Sequence, residues 1–253
     1  MAEQKQVIVR IKRQASLKEA SRWEEFALPW RPSMNVIICL RDIAENPVTR
    51  DGKKTTPVSY DSNCLEEICG SCAMLINGKA RMACSALVDS LEQPIRIEPL
   101  SKFPLVRDLA VDRQFMFESL KRVKAWIPID GTYDLGEGPR VAPEVQEAGY
   151  PLSNCISCGS CLEVCPQVNE SSKFVGAAII SQVRLFNMHP TGAMHAKERL
   201  NALMQEGGIQ DCANAQNCVK ACPKGIPLTE SIAEVNRAAW KQALLGWFLG
   251  LIL

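Results

Sequence analysis

Cysteine constrains this chain more than any other residue type, because eleven of its twelve cysteines fall into three short groups. The chain has only two histidines, which nearly excludes histidine-rich zinc sites and haem groups held by two histidines. Segment 1–14 has neither the apolar core nor the small-residue cleavage site of a signal peptide, so we expect a reducing, cytosolic environment. Clustered thiols in such an environment indicate metal binding rather than disulfide bonds.

The composition is that of a globular protein of one or two domains, with 253 residues, 47% of them hydrophobic and 23% charged. The net charge of +1 argues against a nucleic-acid partner. The longest uncharged apolar run is 243–253, and it is too short for a membrane-spanning helix, which needs about 20 residues. This tail could bind a membrane surface or an apolar partner, or it could pack on the core, and both interpretations stay open.

The hydrophobic pattern predicts two domains with different secondary structure. Up to residue 105, alternating apolar residues predict strands, Ser33 is placed to cap a short helix, and Asn77-Gly78 predicts a hairpin turn. These elements predict a small α+β domain over 1–105, and the helical period that follows predicts a second domain over 106–253. The predicted elements are strands 6–14, 23–28, 73–76, 79–83 and 95–97, helices 34–43, 106–123, 174–187, 193–206 and from 228 onward, and a loop over 128–151.

The first cysteine group has the spacing of a plant-type [2Fe–2S] ferredoxin, Cys-x4-Cys-x2-Cys followed by a fourth cysteine. The register of the predicted hairpin places Ser71 opposite Cys84, which brings Cys72 and Cys84 together at one end of the hairpin. A structural zinc site with four thiolates is the alternative, but zinc usually takes two closely spaced pairs. The predicted ligands of the [2Fe–2S] cluster are Cys64, Cys69, Cys72 and Cys84.

The second cysteine group is a bacterial ferredoxin run, in which the fourth cysteine precedes a proline and binds the other of two clusters. The third group supplies the second run that this arrangement requires. When the runs are aligned on their Cys-Pro ends, Cys165 matches Cys222 and Cys158 matches Ala215, so the third group lacks one cysteine. The second group consists of Cys155, Cys158, Cys161 and Cys165, and the third of Cys212, Cys218 and Cys222.

Alanine at position 215 predicts two different clusters, because alanine cannot bind iron. Three thiolates leave one iron corner without a cysteine, and [3Fe–4S] is the simplest occupant. A [4Fe–4S] cluster whose fourth iron binds water or another oxygen ligand is the alternative. Cys39 is left over, and its place in the predicted apolar helix indicates a core thiol. The predicted ligands are Cys155, Cys158, Cys161 and Cys222 for [4Fe–4S], and Cys165, Cys212 and Cys218 for [3Fe–4S].

With these three groups in this order, the chain resembles the iron–sulfur subunits of succinate dehydrogenase and quinol:fumarate reductase, the respiratory complex II family. The stretches Cys165–Asn169 and Ile180–Asn187 are similar to those of menaquinone-linked succinate dehydrogenases from Gram-positive bacteria. The resemblance implies an α+β fold, with an N-terminal β-grasp [2Fe–2S] ferredoxin-like domain followed by an all-α ferredoxin-like domain.

The resemblance also implies a function as the electron-transfer subunit of succinate dehydrogenase (quinone), with no catalytic residue of its own. Electrons would pass from FAD on a flavoprotein subunit through [2Fe–2S], [4Fe–4S] and [3Fe–4S] to a membrane quinone, which the likeness indicates is menaquinone. The chain would lie peripherally on the cytoplasmic face of the membrane, bound through a membrane anchor subunit. The alternatives are the equivalent subunit of quinol:fumarate reductase, a soluble multi-cluster electron carrier and a zinc-stabilised interaction module.

Two positions depart from the ubiquinone-reducing members of this family. Those members carry a tryptophan shortly after the fourth ferredoxin cysteine and a histidine after the first cysteine of the second run, where this chain has Asn169 and Ala213. The familiar ubiquinone site is therefore not expected. Pro166, Gln167 and Asn169 are candidate residues near a quinone, and ordinary loop residues are the alternative interpretation.

Overall fold

The computed structural model describes residues 5–127 and 139–248. The chain divides into two compact units. Unit 1 comprises Met1–Arg113 and Ile156–Glu163, and unit 2 comprises Gln114–Cys155 and Val164–Leu253. These units describe which residues pack together and do not show which parts of the chain fold independently. The domain boundary near residue 105 therefore stays a prediction.

In the described residues, the strands and helix α1 lie in the first part of the chain, and the other α-helices follow them. The strands are β1 (Gln6–Arg13), β2 (Arg22–Pro29), β3 (Ala73–Ile76), β4 (Lys79–Met82), β5 (Ile95–Glu98), β6 (Leu105–Arg107) and β7 (Ala110–Val111). The α-helices are α1 (Val36–Glu45), α2 (Gln114–Arg122), α3 (Pro143–Ser153), α4 (Ser160–Glu163), α5 (Ala177–Met188), α6 (Ala196–Leu203), α7 (Asn217–Ala221) and α8 (Leu228–Phe248).

The core of unit 1 is a five-stranded mixed sheet with the strand order β2-β1-β5-β3-β4. Strands β1 and β5 are parallel, and the other neighbouring pairs are antiparallel. The alternation that predicts β1 is confirmed, because Val7, Val9 and Ile11 are fully buried while the residues between them are not. Helix α1 adds buried apolar residues to this core, so unit 1 is the α+β arrangement that the pattern predicts.

The cap of α1 differs from the prediction. Ser33 does not cap the helix; it has a left-handed φ of 60° and lies outside it. Asn35 is the N-cap, and its side-chain oxygen accepts a hydrogen bond from the Ile38 N–H at 2.9 Å. The prediction was therefore two residues too early, because both Ser and Asn are favoured caps and the pattern alone does not choose between them.

The connecting helix predicted over 106–123 is wrong in its first half. Strands β6 and β7 form a hairpin there, and only α2 is helical. The turn of this hairpin places Asp108, which is buried, against the buried guanidinium of Arg13 at 3.0 Å. A buried arginine needs such a partner, so this long-range ion pair favours the turn over the local helical pattern.

Unit 2 is built from helices. Helix α8 packs on α5 and buries Leu228, Ser231, Val235 and Ala239 at intervals of three and four residues. The predicted helices at α5, α6 and α8 are confirmed. The loop predicted over 128–151 is wrong where α3 begins at Pro143, while its residues 128–138 lie outside the described residues.

The C-terminal end of α8 leaves its apolar side chains uncovered. Trp240 is 64% exposed, Trp247 72% and Phe248 74%, and nothing after Ala239 is buried in the described part of the helix. The large apolar side chains of residues 243–248 are therefore exposed, and residues 249–253 lie outside the described residues. Among the residues that the structure describes, no helix has both the length and the apolar character needed to cross a membrane.

Candidate metal centres

The hairpin of β3 and β4 positions two cysteines of the first group. Asn77 and Gly78 both have positive φ, 50° and 75°, as a two-residue turn of this kind requires. The register pairs Ala73 with Met82, and the Ala83 N–H then donates to the Cys72 carbonyl at 3.1 Å. Cys72 and Cys84 are therefore neighbours at the open end of the hairpin, as the register predicts, and both are buried.

The loop before the hairpin curls around the sulfur of Cys64. The backbone N–H groups of Glu66, Ile68 and Cys69 all point at Cys64 Sγ, at 3.4, 3.3 and 3.3 Å. Left-handed residues such as Leu65, with a φ of 63°, turn the backbone inward to allow this. A ring of N–H donors stabilises an anionic sulfur, so the donor set fits a thiolate bound to iron.

The electrostatic surroundings of two further cysteines in this group differ. Hydrogen bonds from the Cys64 backbone and from Ser71 lower the pKa of Cys69 to about 6, which favours its thiolate. Burial raises the pKa of Cys72 to about 11. A buried thiolate is stable only beside positive charge, and the irons of a cluster supply that charge.

Gly70 lies between Cys69 and Cys72, where the backbone passes very close to that of residues 156–158. Its φ is +71°, and a Cβ built on it would lie 2.3 Å from the Ile156 carbonyl oxygen and 3.0 Å from Cys158 Cα. Only glycine fits such a position. Within unit 1, the loop of the first cysteine group therefore lies directly against the start of the second.

Two residues that support the first group were not found by the sequence analysis. Arg113 donates to the carbonyl oxygens of Gly70 at 2.7 Å and Ser71 at 2.6 Å. The side-chain amide of Asn35 donates to the Cys84 carbonyl at 2.9 Å while its oxygen caps α1. Asn35 was available as a cap signal, whereas no sequence pattern links Arg113 to a loop more than 40 residues away.

The second and third cysteine groups share one backbone conformation. Ser157 and Gly159 of the second group have positive φ, and so do their counterparts Asn214 and Gln216 of the third group. Each run then enters a helix, α4 or α7, and ends in a matching turn after its Cys-Pro. This repeat supports the alignment in which Ala215 occupies the position of Cys158.

Within unit 2, a small cavity of about 20 Å³ lies beside the third cysteine group. Cys165, Cys212 and Cys218 line it, and so does Ala215. Burial raises the pKa of Cys218, and the nearby Cys165 and Cys212 raise it further. These three cysteines thus line one space together with an alanine, and their role as the ligands of a three-iron cluster stays a prediction.

The candidate quinone residues separate into two sets. Pro166 and Gln167 line the same cavity as the three cysteines. Asn169 does not line it; its side chain bonds the Pro166 carbonyl and the backbone of Ser171, which is the geometry of an Asn-stabilised turn. The alternative interpretation of Asn169 as an ordinary loop residue accounts for all of its observed contacts.

The predicted [4Fe–4S] ligands belong to both units. Cys158 and Cys161 are buried residues of unit 1, and Cys155 and Cys222 are half-buried residues of unit 2. This ligand set therefore stays a prediction. Among the described residues, no group of three or more His, Cys, Asp or Glu side chains gathers as the ligands of a single metal ion would. Cys39 is fully buried in α1, and burial raises its pKa to about 12, as expected for a core thiol.

Comparisons with known proteins give a consistent result. A family model described as a 2Fe-2S iron-sulfur cluster binding domain matches residues 8–118, and one described as a 4Fe-4S dicluster domain matches residues 151–226. The succinate dehydrogenase iron-sulfur subunit of Bacillus subtilis is 59% identical over 248 residues, which is 98% of each chain. The fumarate reductase iron-sulfur subunit of Wolinella succinogenes is 32% identical over 218 residues, 85% of this chain and 88% of that one.

A solved structure agrees with the fold. A chain of the Mycobacterium smegmatis Sdh1 complex in the apo form matches with a TM-score of 0.78 and 22% identity, over 95% of this chain and 98% of that one. The fold and the cysteine groups define an iron–sulfur protein with a ferredoxin-type α+β domain followed by a helical dicluster domain. The 59% identity over nearly the whole length assigns it further: the chain belongs to the family of succinate dehydrogenase iron–sulfur subunits.

Proposed function

We propose that this chain carries electrons from FAD on a flavoprotein subunit, through three iron–sulfur clusters, to a membrane quinone during succinate oxidation. The observation that carries the proposal is the 59% identity, over 98% of both chains, to a succinate dehydrogenase subunit. The fumarate reductase relatives are 31–33% identical, so succinate oxidation is favoured over fumarate reduction.

The role of the chain's own residues is to hold the clusters and set their surroundings. The clusters supply one-electron chemistry, and no side chain needs to act as acid, base or nucleophile. Cys64, Cys69, Cys72 and Cys84 would hold [2Fe–2S], with the N–H donors around Cys64 stabilising the anionic sulfur. Burial of Cys72 and Cys84 keeps water away from that site.

The dicluster region would hold [4Fe–4S] and [3Fe–4S]. Cys155, Cys158, Cys161 and Cys222 are the proposed ligands of the first, and Cys165, Cys212 and Cys218 those of the second. The cavity that these last three line together with Ala215 supports a site with three thiolates, for which [3Fe–4S] is the simplest occupant.

The chain would work between two partner subunits. A flavoprotein would deliver electrons, and a membrane anchor subunit would hold the chain on the cytoplasmic face of the membrane and offer the quinone. The exposed apolar end of α8 supports a contact with the anchor or the lipid surface. Pro166 and Gln167 line the cavity beside the three cysteines, so we propose that menaquinone lies near them; Asn169 bonds the Pro166 carbonyl but does not line that cavity.

The test is to purify the complex in mild detergent and identify its subunits by mass. The expected result is a flavoprotein, this chain and an anchor, with EPR signals of three clusters and electron transfer from succinate to a menaquinone analogue. Fumarate reduction that exceeds succinate oxidation would instead assign the fumarate reductase function. A chain that purifies alone, loaded with clusters and without detergent, would indicate the soluble carrier.

A further inference from the structure

Arg113 reaches into the first cluster loop from outside it. Its Nη1 donates to the Gly70 carbonyl at 2.7 Å and its Nη2 to the Ser71 carbonyl at 2.6 Å. Gly70 and Ser71 are the two residues between the predicted ligands Cys69 and Cys72. One planar guanidinium therefore fixes two successive peptide groups, which only the forked geometry of arginine allows.

The third donor position of the same guanidinium has no partner. Arg113 Nε is buried and makes no hydrogen bond to any of the described residues. A buried N–H left unpaired costs free energy, so native proteins rarely leave one. An anionic cluster beside this side chain would supply the missing acceptor or at least its negative charge.

The charges around Arg113 point in the same direction. Burial lowers the pKa of Arg113, and four acidic groups oppose this effect, those of Asp61, Cys158, Cys72 and Cys69. Three of these four are predicted cluster ligands, and the fourth, Asp61, is exposed to water, which screens it. Arginine stays protonated in proteins, so a permanent positive charge lies among the ligand sulfurs.

We infer that Arg113 is a positioning residue that sets the reduction potential of the [2Fe–2S] cluster. Its hydrogen bonds hold the Gly70–Ser71 segment between two ligands, and its half-buried charge stabilises the reduced cluster. Gly70 lies against Ile156 and Cys158, so the same side chain supports the loop where the first cysteine group contacts part of the second within unit 1. The inference rests on the proposed function.

The physical reason is electrostatic. Reduction transfers one electron from a donor, a reduced flavin in the proposed complex, to the cluster, where one ferric iron becomes ferrous. The cluster gains one negative charge, and no proton or bond changes place. A fixed positive charge in a poorly screened site favours the state with more negative charge, which raises the reduction potential.

The test compares Arg113→Gln with Arg113→Lys in the purified complex, using an EPR-monitored redox titration with dithionite and mediator dyes. Arg113→Gln removes the charge, and we expect the [2Fe–2S] midpoint to shift to lower potential. Arg113→Lys keeps the charge but loses the fork, and we expect a midpoint close to wild type. The [3Fe–4S] midpoint is the internal reference, because none of its predicted ligands is among the main influences on the pKa of Arg113.

Two controls separate this charge from charges in general. Arg107→Gln removes a half-exposed arginine six positions earlier, and we expect no shift. Most of the Arg113→Gln shift should persist in about 1 M salt, where the screening length falls to about 3 Å, because Arg113 is half-buried and its Nε is fully buried.

The outcomes are distinct. An unshifted Arg113→Gln midpoint overturns the inference, as does an equal shift in both variants, which would assign the effect to the fork alone. If Arg113→Gln loses the [2Fe–2S] signal, the Arg113→Lys variant is used instead. A wild-type midpoint in Arg113→Lys supports the role of charge. Loss of the signal in Arg113→Lys as well would show that Arg113 has only a structural role. A missing [2Fe–2S] signal in the wild-type complex would instead contradict the proposed function.

Discussion

At the scale of single residues, Cys39 differs from the other cysteines by its surroundings. It is fully buried in α1, and burial raises its pKa to about 12. We expect Cys39→Ser to keep all three cluster signals and to lower stability by about 1–3 kcal/mol, because a hydroxyl replaces an apolar sulfur in the core. Cys39→Ala, which adds no polar atom, should cost less. Thermal unfolding and EPR of both variants check this, and loss of any cluster signal would show that the ligand assignment contains an error.

Ala215 offers a direct test of the three-thiolate site. The repeated backbone places it where Cys158 stands in the other run, and it lines the cavity with Cys165 and Cys212. We expect Ala215→Cys to supply a fourth thiolate, so that a fourth iron binds and the EPR signal of the oxidised three-iron cluster disappears. The added anionic ligand should lower the potential and slow reduction of quinone, while succinate oxidation with an artificial acceptor persists.

A matched variant tests whether the effect of Ala215→Cys depends on the position of the new cysteine or only on adding a thiol to the loop. Ala213→Cys adds a cysteine to the same loop and the same cavity, but at the position that matches Ile156 and not Cys158. This variant should keep the three-iron signal. If Ala215→Cys also keeps it unchanged, residue 215 does not face the open corner of the cluster and the alignment of the two runs is wrong.

At the scale of single residues, sequence spacing predicts contacts between residues that are close along the chain, but not contacts between distant ones. The ligand sets follow from spacing because short runs allow few geometries, and the hairpin register follows from Asn77-Gly78 because a two-residue turn leaves one pairing. Arg113 could not be predicted, since its contact with Gly70 depends on how the chain returns to the loop after the hairpin of β6 and β7.

At the scale of secondary-structure elements, the N-terminus of α1 links helix stability to the first cluster site. Asn35 caps the helix through its oxygen and holds the Cys84 carbonyl through its amide. We expect Asn35→Ala to lower stability by about 1 kcal/mol or more, the usual cost of a lost cap plus an unpaired carbonyl. Ser33→Gly, at the cap position that the sequence favoured, should cost nothing, because Ser33 has left-handed φ and does not cap α1. Melting temperatures of the two variants test this, and equal losses would contradict it.

The elements that sequence analysis missed were decided by distant contacts. The hairpin at 105–111 replaces a predicted helix because the buried Arg13 takes Asp108 as its partner across 95 residues of sequence. The predicted α8 was correct because it buries a stripe with helical spacing, and α5 because its apolar first half is buried at consecutive positions; both are properties of the segments themselves. Local patterns therefore predict an element reliably when its own apolar residues determine its structure. They fail when a distant buried ion pair determines the structure instead.

At the scale of the whole molecule, the cysteine groups and the packing units do not coincide. The second cysteine group starts in unit 2 with Cys155, crosses into unit 1 with Cys158 and Cys161, and returns to unit 2 with Cys165. The sequence predicted two domains in series, since the hydrophobic pattern changes from the strand period to the helical period near residue 105. It could not predict that residues 156–163 pack with the first unit, because that depends on the close approach at Gly70.

The end of α8 is the part of the molecule most suited to an outside contact. Its first turns bury one residue per turn against unit 2, but from Trp240 onward the large apolar side chains face water. Residues 243–253 contain no charge. Such a patch is an association hazard unless a lipid surface or a partner covers it.

We therefore expect deletion of 243–253 to release the flavoprotein and this chain from membranes more easily. Trp247→Ala combined with Phe248→Ala should have the same effect in part, because each large apolar side chain covered on binding contributes about 1.5–3 kcal/mol. Phe117→Ala, which removes an exposed aromatic of α2, is the matched control and should leave retention unchanged. The measurement is the membrane-bound fraction of succinate dehydrogenase activity after washing in about 1 M salt, which screens charge contacts and leaves apolar ones. Full retention of the truncated chain would show that the exposed end of α8 is not what holds this subunit to its membrane partner.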